Sequence, residues 1–315
     1  MCSQPSFPAA EAAGLLPPGG ADIWASSGTH RIRGHLWKAK SSSRGRVMFC
    51  PGFTEFIEKH SHAAHQLHDA GYDLLMIDWP GQGLSGHLGR DPLTVHIDDF
   101  TTHLDAAEAL MAAAGWVGEK VTLIGHSMGG HLALRLADRL PGRIVALILL
   151  SPMIAPPIPP LWLGRLLGRI ACLLGRGPFH ALGQTPRALD RVRQFRPGNV
   201  LTRDPVRYTE SFLWFDDRPD LRRSGASWAW VTAAYDSCIK TTMSRHWMRS
   251  IDLPVLALTS GAEVVVHKAS TDRMLKMLPQ CDWHEFPHAR HELCQESNDV
   301  RQDVWHRITQ FLGRH

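Results

Sequence analysis

The chain has 315 residues, of which 44% are hydrophobic and 20% charged, and its formal net charge is +4 at pH 7. These values exclude general disorder, and the length allows one large core with an inserted subdomain. The charge is too small to indicate a nucleic-acid partner, although it is compatible with transient attraction to an anionic membrane surface.

Targeting and redox signals are weak. Residues 1–20 are rich in alanine, proline and glycine, so we expect a flexible arm and not a secretory signal. The longest uncharged run, residues 144–164, contains five prolines, which an uninterrupted membrane helix would not accept. The six cysteines are scattered without a C-x-x-C pair. This pattern favours reduced thiols and a cytoplasmic location. The mild positive charge is compatible with peripheral contact at the inner membrane surface.

Short apolar strands alternate with helical patterns in the first half of the chain. A hairpin, four strands and three helices are predicted in this order: hairpin 21–27 and 30–38, strand 46–50, helix 57–70, strand 72–78, a helix from Ile97 that ends at Gly115, strand 121–124, helix 130–138, and strand 144–150. The strands after the hairpin are uniformly apolar. We therefore expect an α/β fold, with a mostly parallel sheet covered on both faces by helices.

The alternation stops after residue 150 and resumes at residue 254. Residues 154–250 contain prolines, arginines and helical fragments without a clear strand. Strands at 254–258 and 282–286 and a final helix then complete the pattern. We expect a core formed by residues 21–153 and 251–315, and a helical cap formed by residues 154–250. In open α/β sheets such an insertion lies over the strand ends, where ligands bind.

The most informative motif is Gly-His-Ser-Met-Gly at residues 125–129, between a predicted strand and a predicted helix. A serine at a sharp strand-to-helix turn is a nucleophile elbow, which presents the hydroxyl at the carboxyl edge of the sheet. Gly125 and Gly129 fit because a β-carbon there would collide with the neighbouring strand or helix. The motif predicts an acyl-transfer enzyme with Ser127 as the nucleophile.

A serine hydroxyl needs a histidine to accept its proton and a carboxylate to orient that histidine. In this arrangement the chain order is serine, acid, histidine. Glu263 follows the first strand after the predicted cap, and His291 follows the next strand, so we predict these two residues as acid and base. Neighbouring carboxylates and imidazoles remain open as alternatives: Asp252, Asp272, Asp282, His284 and His288.

The oxyanion of a tetrahedral intermediate needs preorganised N–H donors. We expect one from Met128, the residue after the nucleophile, and the second from Phe53, in the loop after the strand that ends at Cys50. Gly52 allows that backbone to approach closely.

At this point the sequence resembles the bacterial lysophospholipases and the related monoacylglycerol lipases. Three segments carry the resemblance: Gly-His-Ser-Met-Gly-Gly at 125–130, Pro-Gly-Phe-Thr-Glu-Phe-Ile-Glu-Lys at 51–59, and Asp-Trp-Pro-Gly-Gln-Gly-Leu-Ser-Gly at 78–86. The segment 287–292 resembles the family's histidine segment. The resemblance covers about residues 31–150 and the chain from 253 onward.

The resemblance implies an α/β-hydrolase fold with a mobile cap, no cofactor, and hydrolysis of an ester of a single fatty acyl chain. It implies Ser127, Glu263 and His291 as the catalytic triad and Phe53 and Met128 as oxyanion donors. The sequence departs from the family at three positions. Pro51 stands where many hydrolases have histidine, His288 where glycine is usual, and Glu263 where aspartate is commoner.

Within the predicted cap, Arg165, Arg169 and Arg176 recur at four and seven residues and are expected to share one face of a leucine-rich helix. Such a helix fits an interfacial position on a membrane, a lid with arginines near a phosphate headgroup, or a packed helix with snorkelling arginines. His62, His65 and His68 also recur regularly. No carboxylate cluster joins them, so we expect an exposed helix face and no metal site.

The favoured hypothesis is a serine hydrolase that cleaves a lysophospholipid or monoacylglycerol through an acyl-enzyme. One alternative within the fold is a small-ester carboxylesterase, thioesterase or aminopeptidase. A further alternative is a non-catalytic binding protein, which the complete spacing of nucleophile, acid and base disfavours. We expect a lipid or ester as the partner and no nucleic acid.

Overall fold

The structure is a computed structural model that describes residues 16–156, 161–186 and 188–315. Its strands are β1 (Ala21–Ser27), β2 (His30–Trp37), β3 (Arg46–Cys50), β4 (Asp73–Ile77), β5 (Val121–His126), β6 (Ile144–Leu150), β7 (Val255–Ser260) and β8 (Cys281–Phe286). Its helices are α1 (Ser61–Asp69), α2 (Thr101–Ala113), α3 (Met128–Arg139), α4 (Leu161–Leu173), α5 (Leu189–Arg193), α6 (Pro205–Asp217), α7 (Trp228–Lys240), α8 (Arg245–Ser250), α9 (Lys268–Leu275) and α10 (Asn298–Leu312). Short 3-10 turns cover Ile57–His60, Pro219–Leu221 and Leu293–Gln295.

The eight strands form one sheet in the order β1-β2-β4-β3-β5-β6-β7-β8. The β1–β2 hairpin and the β2–β4 pair are antiparallel, and all other pairs are parallel. The predicted mostly parallel sheet and the hairpin are therefore confirmed. The register aligns Cys50 at the end of β3 with Gly125 of β5. It also aligns Leu150 at the end of β6 with His126 of β5 and with Leu258 of β7, so these four strands end together at one edge of the sheet.

The core has two layers, one on each face of the sheet. Alternate residues of a strand point to opposite faces, and β3 shows this directly. Met48 and Cys50 join the layer that contains α2 and α3, whereas Val47 and Phe49 join the layer that contains α1 and α10. The final helix buries its predicted apolar face, comprising Val300, Val304, Ile308 and Phe311.

Helix α2 begins at Thr101, so the prediction that it begins at Ile97 is wrong. The segment before it is joined to the insertion at Val95, whose N–H donates to Gly225 O at 2.9 Å and whose carbonyl accepts from the Ser227 N–H at 2.9 Å. The helix begins where Asp99 Oδ1 accepts a hydrogen bond from the Thr101 N–H at 2.6 Å. The apolar spacing of Ile97, Phe100 and Leu104 continues across the start of the helix, so hydrophobic periodicity alone does not show where the helix begins.

Residues 154–250 lie between β6 and β7 and are called the insertion below. In the part of it that the structure describes, α4 to α8 are the main elements and strand pairing is limited to single bridges. Helix α4 packs closely on α7 because two glycines face that helix. A β-carbon on Gly164 would lie 2.5 Å from the Tyr235 ring, and one on Gly168 would lie 2.3 Å from Thr232 Oγ1.

The predicted three-arginine face of α4 is wrong. The helix ends at Leu173, and Arg176 lies beyond it, with its guanidinium 5.0 Å from the Phe179 ring centroid. Arg165 and Arg169 both bind Asp236 of α7. The side of α4 that faces solvent is apolar instead, with large exposed side chains at Trp162, Leu163, Leu166, Leu167, Ile170 and Leu173.

The expected exposed histidine face of α1 is wrong. His68 is buried, and its Nε2 lies 3.2 Å from Lys38 O, while His62 and His65 are half-buried. Among the described residues no group of histidine, cysteine, aspartate and glutamate has the arrangement of a metal site. Within the same ranges, every helix is too short or too polar to cross a bilayer. The cysteines described there are free thiols: Cys50, Cys172, Cys238, Cys281 and Cys294.

Of the predicted N-terminal arm, residues 1–20, the first fifteen lie outside the described residues. Its last residues contact the core, because Trp37 Nε1 donates to Pro17 O at 2.8 Å.

Candidate active site

Ser127 lies at the turn between β5 and α3 in a strained conformation, with φ of 53° and ψ of −117°. Two hydrogen bonds hold this turn: the Ser127 N–H donates to Leu150 O at 2.9 Å, and the Met153 N–H donates to Ser127 O at 2.9 Å. A β-carbon on Gly129 would lie 1.9 Å from Cys50 O, and one on Gly125 would lie 2.5 Å from Gly129 O. Both glycines are therefore required for the serine to occupy this turn.

His291 follows β8, and its Nδ1 lies 2.7 Å from Oε2 of Glu263, which follows β7. Both side chains are 4% exposed. Glu263 also accepts hydrogen bonds from Ser260 Oγ at 2.9 Å and from the Val265 and Val266 N–H groups at 2.7 and 3.1 Å. Burial alone would raise the pKa of Glu263, but His291 and these donors outweigh it and lower the pKa.

The alternative acids and bases are engaged elsewhere. Asp272 binds Lys268 at 2.7 Å, Asp282 lies 3.7 Å from Arg314, and Asp252 accepts from Gln280 at 2.8 Å. His288 is exposed, and His284 lies within β8, 3.8 Å from Asp303.

The histidine segment lies against the nucleophile elbow. His126 immediately precedes Ser127, and its Nε2 lies 3.3 Å from the His291 carbonyl oxygen. The ring centroids of His126 and His291 are 5.0 Å apart. Ser127 and the Glu263–His291 pair are thus brought together at the carboxyl edge of the sheet.

The loop that contains Phe53 is held by Gln82. The carboxamide of Gln82 donates to Gly52 O at 3.1 Å and accepts from the Thr54 N–H at 2.8 Å, so it fixes the backbone on both sides of Phe53. This loop touches α3 at Gly129, one residue after Met128. Sequence reasoning assigned no role to Gln82, because its partners lie about thirty residues earlier in the chain.

A buried polar cluster lies under this loop and is called the Glu55 cluster: Glu55, Lys59, His60, His126 and Glu292. Glu55 Oε2 lies 3.0 Å from His126 Nδ1 and 2.9 Å from His60 Nε2, and it accepts from the Gly52 N–H. Lys59 Nζ bridges the two carboxylates, at 2.9 Å from Glu55 Oε1 and 2.6 Å from Glu292 Oε1. Sequence reasoning missed this cluster, because only the spacing of Glu55 and Lys59 is a local signal.

The insertion contacts both the histidine segment and the Phe53 loop. The Glu292 N–H donates to Leu201 O at 2.9 Å, and Arg290 Nη1 donates to Thr202 O at 3.0 Å. Thr202 Oγ1 in turn donates to Gln295 O at 2.6 Å. On the other side, the ring of Trp230 lies 4.5 Å from that of Phe53, centroid to centroid.

A strained serine between a strand and a helix, with a histidine–carboxylate pair at the same sheet edge, defines the serine hydrolases of the α/β-hydrolase fold. The chain belongs to one family of that class, described as serine aminopeptidase, S33, whose profile matches residues 41–298. The predicted fold and enzyme class are confirmed.

Individual relatives are similar over different shares of the chain. Lysophospholipase L2 of Escherichia coli (strain K12) is 28% identical over 289 residues, which cover 85% of this chain and 80% of that protein. The monoacylglycerol lipase of Mycolicibacterium smegmatis is 29% identical over 135 residues, which cover 42% of this chain and 46% of that protein. A soluble variant of the monoglyceride lipase of Saccharomyces cerevisiae superposes with a TM-score of 0.73, at 18% identity and with 94% and 96% of the two chains covered.

Proposed function

We propose that this serine ester hydrolase cleaves the acyl ester of lipids that carry one fatty acyl chain, namely lysophospholipids or monoacylglycerols. The observation that carries the proposal is the Glu263–His291 pair at the elbow of Ser127, beside an insertion whose Trp230 ring packs on Phe53. The name of the Escherichia coli relative supports the lysophospholipid, since the similarity to that protein spans 85% of this chain.

In the proposed mechanism, Ser127 Oγ attacks the ester carbonyl carbon while His291 Nε2 takes the hydroxyl proton. Glu263 accepts the hydrogen bond from Nδ1 and stabilises the imidazolium. The N–H groups of Phe53 and Met128 bind the oxyanion. His291 then protonates the leaving alcohol. Water attacks the acyl-enzyme with His291 as base, which releases the fatty acid and restores Ser127.

We propose that residues 154–250 act as the cap and contribute the acyl-binding surface. A cavity of about 290 Å³ lies between the Phe53 loop and α6. One part of its wall is aromatic and aliphatic: Phe56, Val192, Leu201, Tyr208, Phe212 and Phe215. The rest is polar or charged: Thr54, Lys59, Ser211, Arg222, Arg223, Ser224 and Glu292. The apolar part fits an acyl chain, and the polar part, which includes neighbours of Phe53 and His291, fits the ester and its headgroup.

The acyl-chain preference tests this proposal. With p-nitrophenyl esters, we expect kcat/KM to rise at least hundredfold from acetate to octanoate, because each buried methylene contributes about 0.8 kcal/mol. We also expect release of fatty acid from lysophosphatidylcholine or monooleoylglycerol. A preference for acetate would contradict the lipid proposal and favour a small-ester esterase. Cleavage of aminoacyl p-nitroanilides without ester turnover would favour an aminopeptidase.

We further propose that the solvent-facing side of α4 contacts a lipid surface. Its large exposed side chains recur at three- and four-residue spacing and therefore form one face. Leu173 is 87% exposed and Trp162 is 64% exposed. Since Asp236 pairs with both Arg165 and Arg169 and holds them toward α7, we expect apolar insertion, and not phosphate pairing, to provide most of the binding.

Vesicle binding tests this contact. We expect the double substitution Leu167→Ser and Leu173→Ser to weaken sedimentation with phospholipid vesicles roughly tenfold or more, since each buried leucine contributes about 1.5–3 kcal/mol. Val117→Ser is the matched control, because Val117 is 72% exposed but precedes β5 at the opposite edge of the sheet. Equal binding by all three proteins would contradict the contact. Binding that requires anionic lipid and disappears in salt would assign it to charge instead.

A further inference from the structure

His126 lies between two oxygen atoms that can only accept hydrogen bonds. Its Nδ1 is 3.0 Å from the Glu55 carboxylate, and its Nε2 is 3.3 Å from the His291 carbonyl oxygen. A neutral imidazole has only one N–H. Its other nitrogen would then point its lone pair at the lone pair of an oxygen, which is repulsive. An imidazolium donates to both oxygens. The two contacts together therefore require the protonated ring.

His60 provides an internal comparison, because it binds the same carboxylate oxygen. Its Nε2 lies 2.9 Å from Glu55 Oε2, but its Nδ1 has no hydrogen-bond partner among the described residues. One N–H therefore suffices for His60, and a second would be buried without an acceptor. The geometry assigns a neutral ring to His60 and a charged ring to His126.

The charge of the Glu55 cluster leads to the same assignment. The cluster is buried and contains two carboxylates, Glu55 and Glu292, but only one ammonium group, Lys59. With His126 protonated and His60 neutral the charges cancel, whereas a neutral His126 would leave one buried negative charge uncompensated.

The pKa shifts of the two rings agree with this assignment. Burial lowers the pKa of both. At His126, the charge and hydrogen bond of Glu55 and the charge of Glu292 outweigh burial and raise the pKa. At His60, burial outweighs Glu55, and Lys59 and His126 add to the fall. The groups that face His126 are thus Glu55, Glu292, Lys59, His60 and His291.

We propose that His126 is a positioning residue. As an imidazolium it donates one hydrogen bond to Glu55 and one to the His291 carbonyl oxygen. These two bonds fix the backbone of His291 and thereby position the catalytic ring next to Ser127. This inference rests on the proposed roles of Ser127 and His291. Both hydrogen bonds of the His126 ring are present below its folded-state pKa. One of them is lost as the pH rises through that pKa, so we expect kcat to fall on the alkaline side.

Matched glutamine substitutions test the role in kinetics. His126→Gln can donate to only one of the two oxygens, and we expect kcat on p-nitrophenyl octanoate to fall roughly hundredfold with KM little changed, as for a displaced catalytic group. His60→Gln keeps a donor for Glu55 and should retain kcat within about threefold. We also expect His126→Gln to lose the alkaline fall of the wild-type pH profile. An unchanged kcat in His126→Gln, or equal losses in both variants, would overturn the proposal.

The protonation state is tested without turnover by ¹⁵N spectra of ring-labelled histidine. As the pH is raised, we expect one ring to stay doubly protonated above the ordinary histidine range; this signal should be absent from His126→Gln and retained in His60→Gln. Should His126→Gln fail to fold, the wild-type titration decides, because that ring must lose its proton over the range in which kcat falls. Absence of any ring with a raised pKa would overturn the inference. Wild-type protein that shows the ring but hydrolyses no ester would instead contradict the proposed function.

Discussion

Replacing Ser127 by alanine is expected to lower kcat for ester hydrolysis roughly 10⁵- to 10⁶-fold, as loss of the nucleophile does in other serine hydrolases. The large effect follows from the absence of any other atom that can form the acyl-enzyme at this turn. Rates on p-nitrophenyl octanoate give the fall in kcat. The intact mass after incubation with a fluorophosphonate shows directly whether the nucleophile is present, since the wild type should gain one adduct and Ser127→Ala none.

Ser151→Ala is the matched control for this prediction. Ser151 follows the adjacent strand β6, is buried, and also has a positive φ, 42°. Its Oγ has no hydrogen-bond partner among the described residues, so removing it leaves no other group unpaired. We expect full labelling and turnover in this variant. An adduct on Ser127→Ala would identify a different nucleophile, and a wild type that neither labels nor turns over would favour a non-catalytic binding protein.

Glu263→Gln is expected to lower kcat about 10⁴-fold, the loss seen when a triad carboxylate becomes an amide. The structure gives the reason. The carboxylate of Glu263 accepts from His291 and also from Ser260 and two backbone N–H groups, so every contact requires an oxygen acceptor. An amide must turn its NH₂ group toward one of these donors, which displaces His291 or favours its wrong tautomer. Steady-state kinetics measures the effect.

Asp272→Asn is the control, because Asp272 pairs with Lys268 at the surface and should lose less than about threefold. Acid stability gives a second readout. The folded-state pKa of Glu263 is lowered, so its ionisation stabilises the fold above its unfolded-state pKa, and this stabilisation is lost as the pH falls through the folded-state value. Glu263→Gln should therefore show a flatter dependence of Tm on pH below about 4.5. A large kinetic loss in Asp272→Asn would question Glu263 as the acid.

The core could be predicted because its signals are local. Strands β3 to β7 are short, mostly apolar runs buried on both faces, and the nucleophile turn is specified by two glycines that almost touch their neighbours. Glu263 and His291 could be placed because each follows a strand, and the sheet brings strand ends together. Periodicity and turn chemistry operate within a few residues, which is the range that a single sequence reveals.

The remaining features depend on partners that are distant in the chain. The sequence predicts that Arg165 and Arg169 share one face of α4, but it does not indicate their partner: Asp236, about seventy residues later, binds both arginines. The Glu55 cluster joins residues 55 and 126 to residue 292, and no local pattern indicates such a set. Polar contacts of this kind have no sequence period, because each depends on which loops the completed sheet brings together.

The hydrogen bonds between residues 200–202 and the segment that contains His291 affect how this enzyme can be engineered. Grafting a lid from a related lipase to alter chain-length selectivity would remove these bonds together with the proposed acyl-binding surface. A chimera that replaces all of residues 154–250 would thus lose turnover even on a substrate that suits its new lid. Boundaries drawn to retain residues 198–204 would separate selectivity from reactivity.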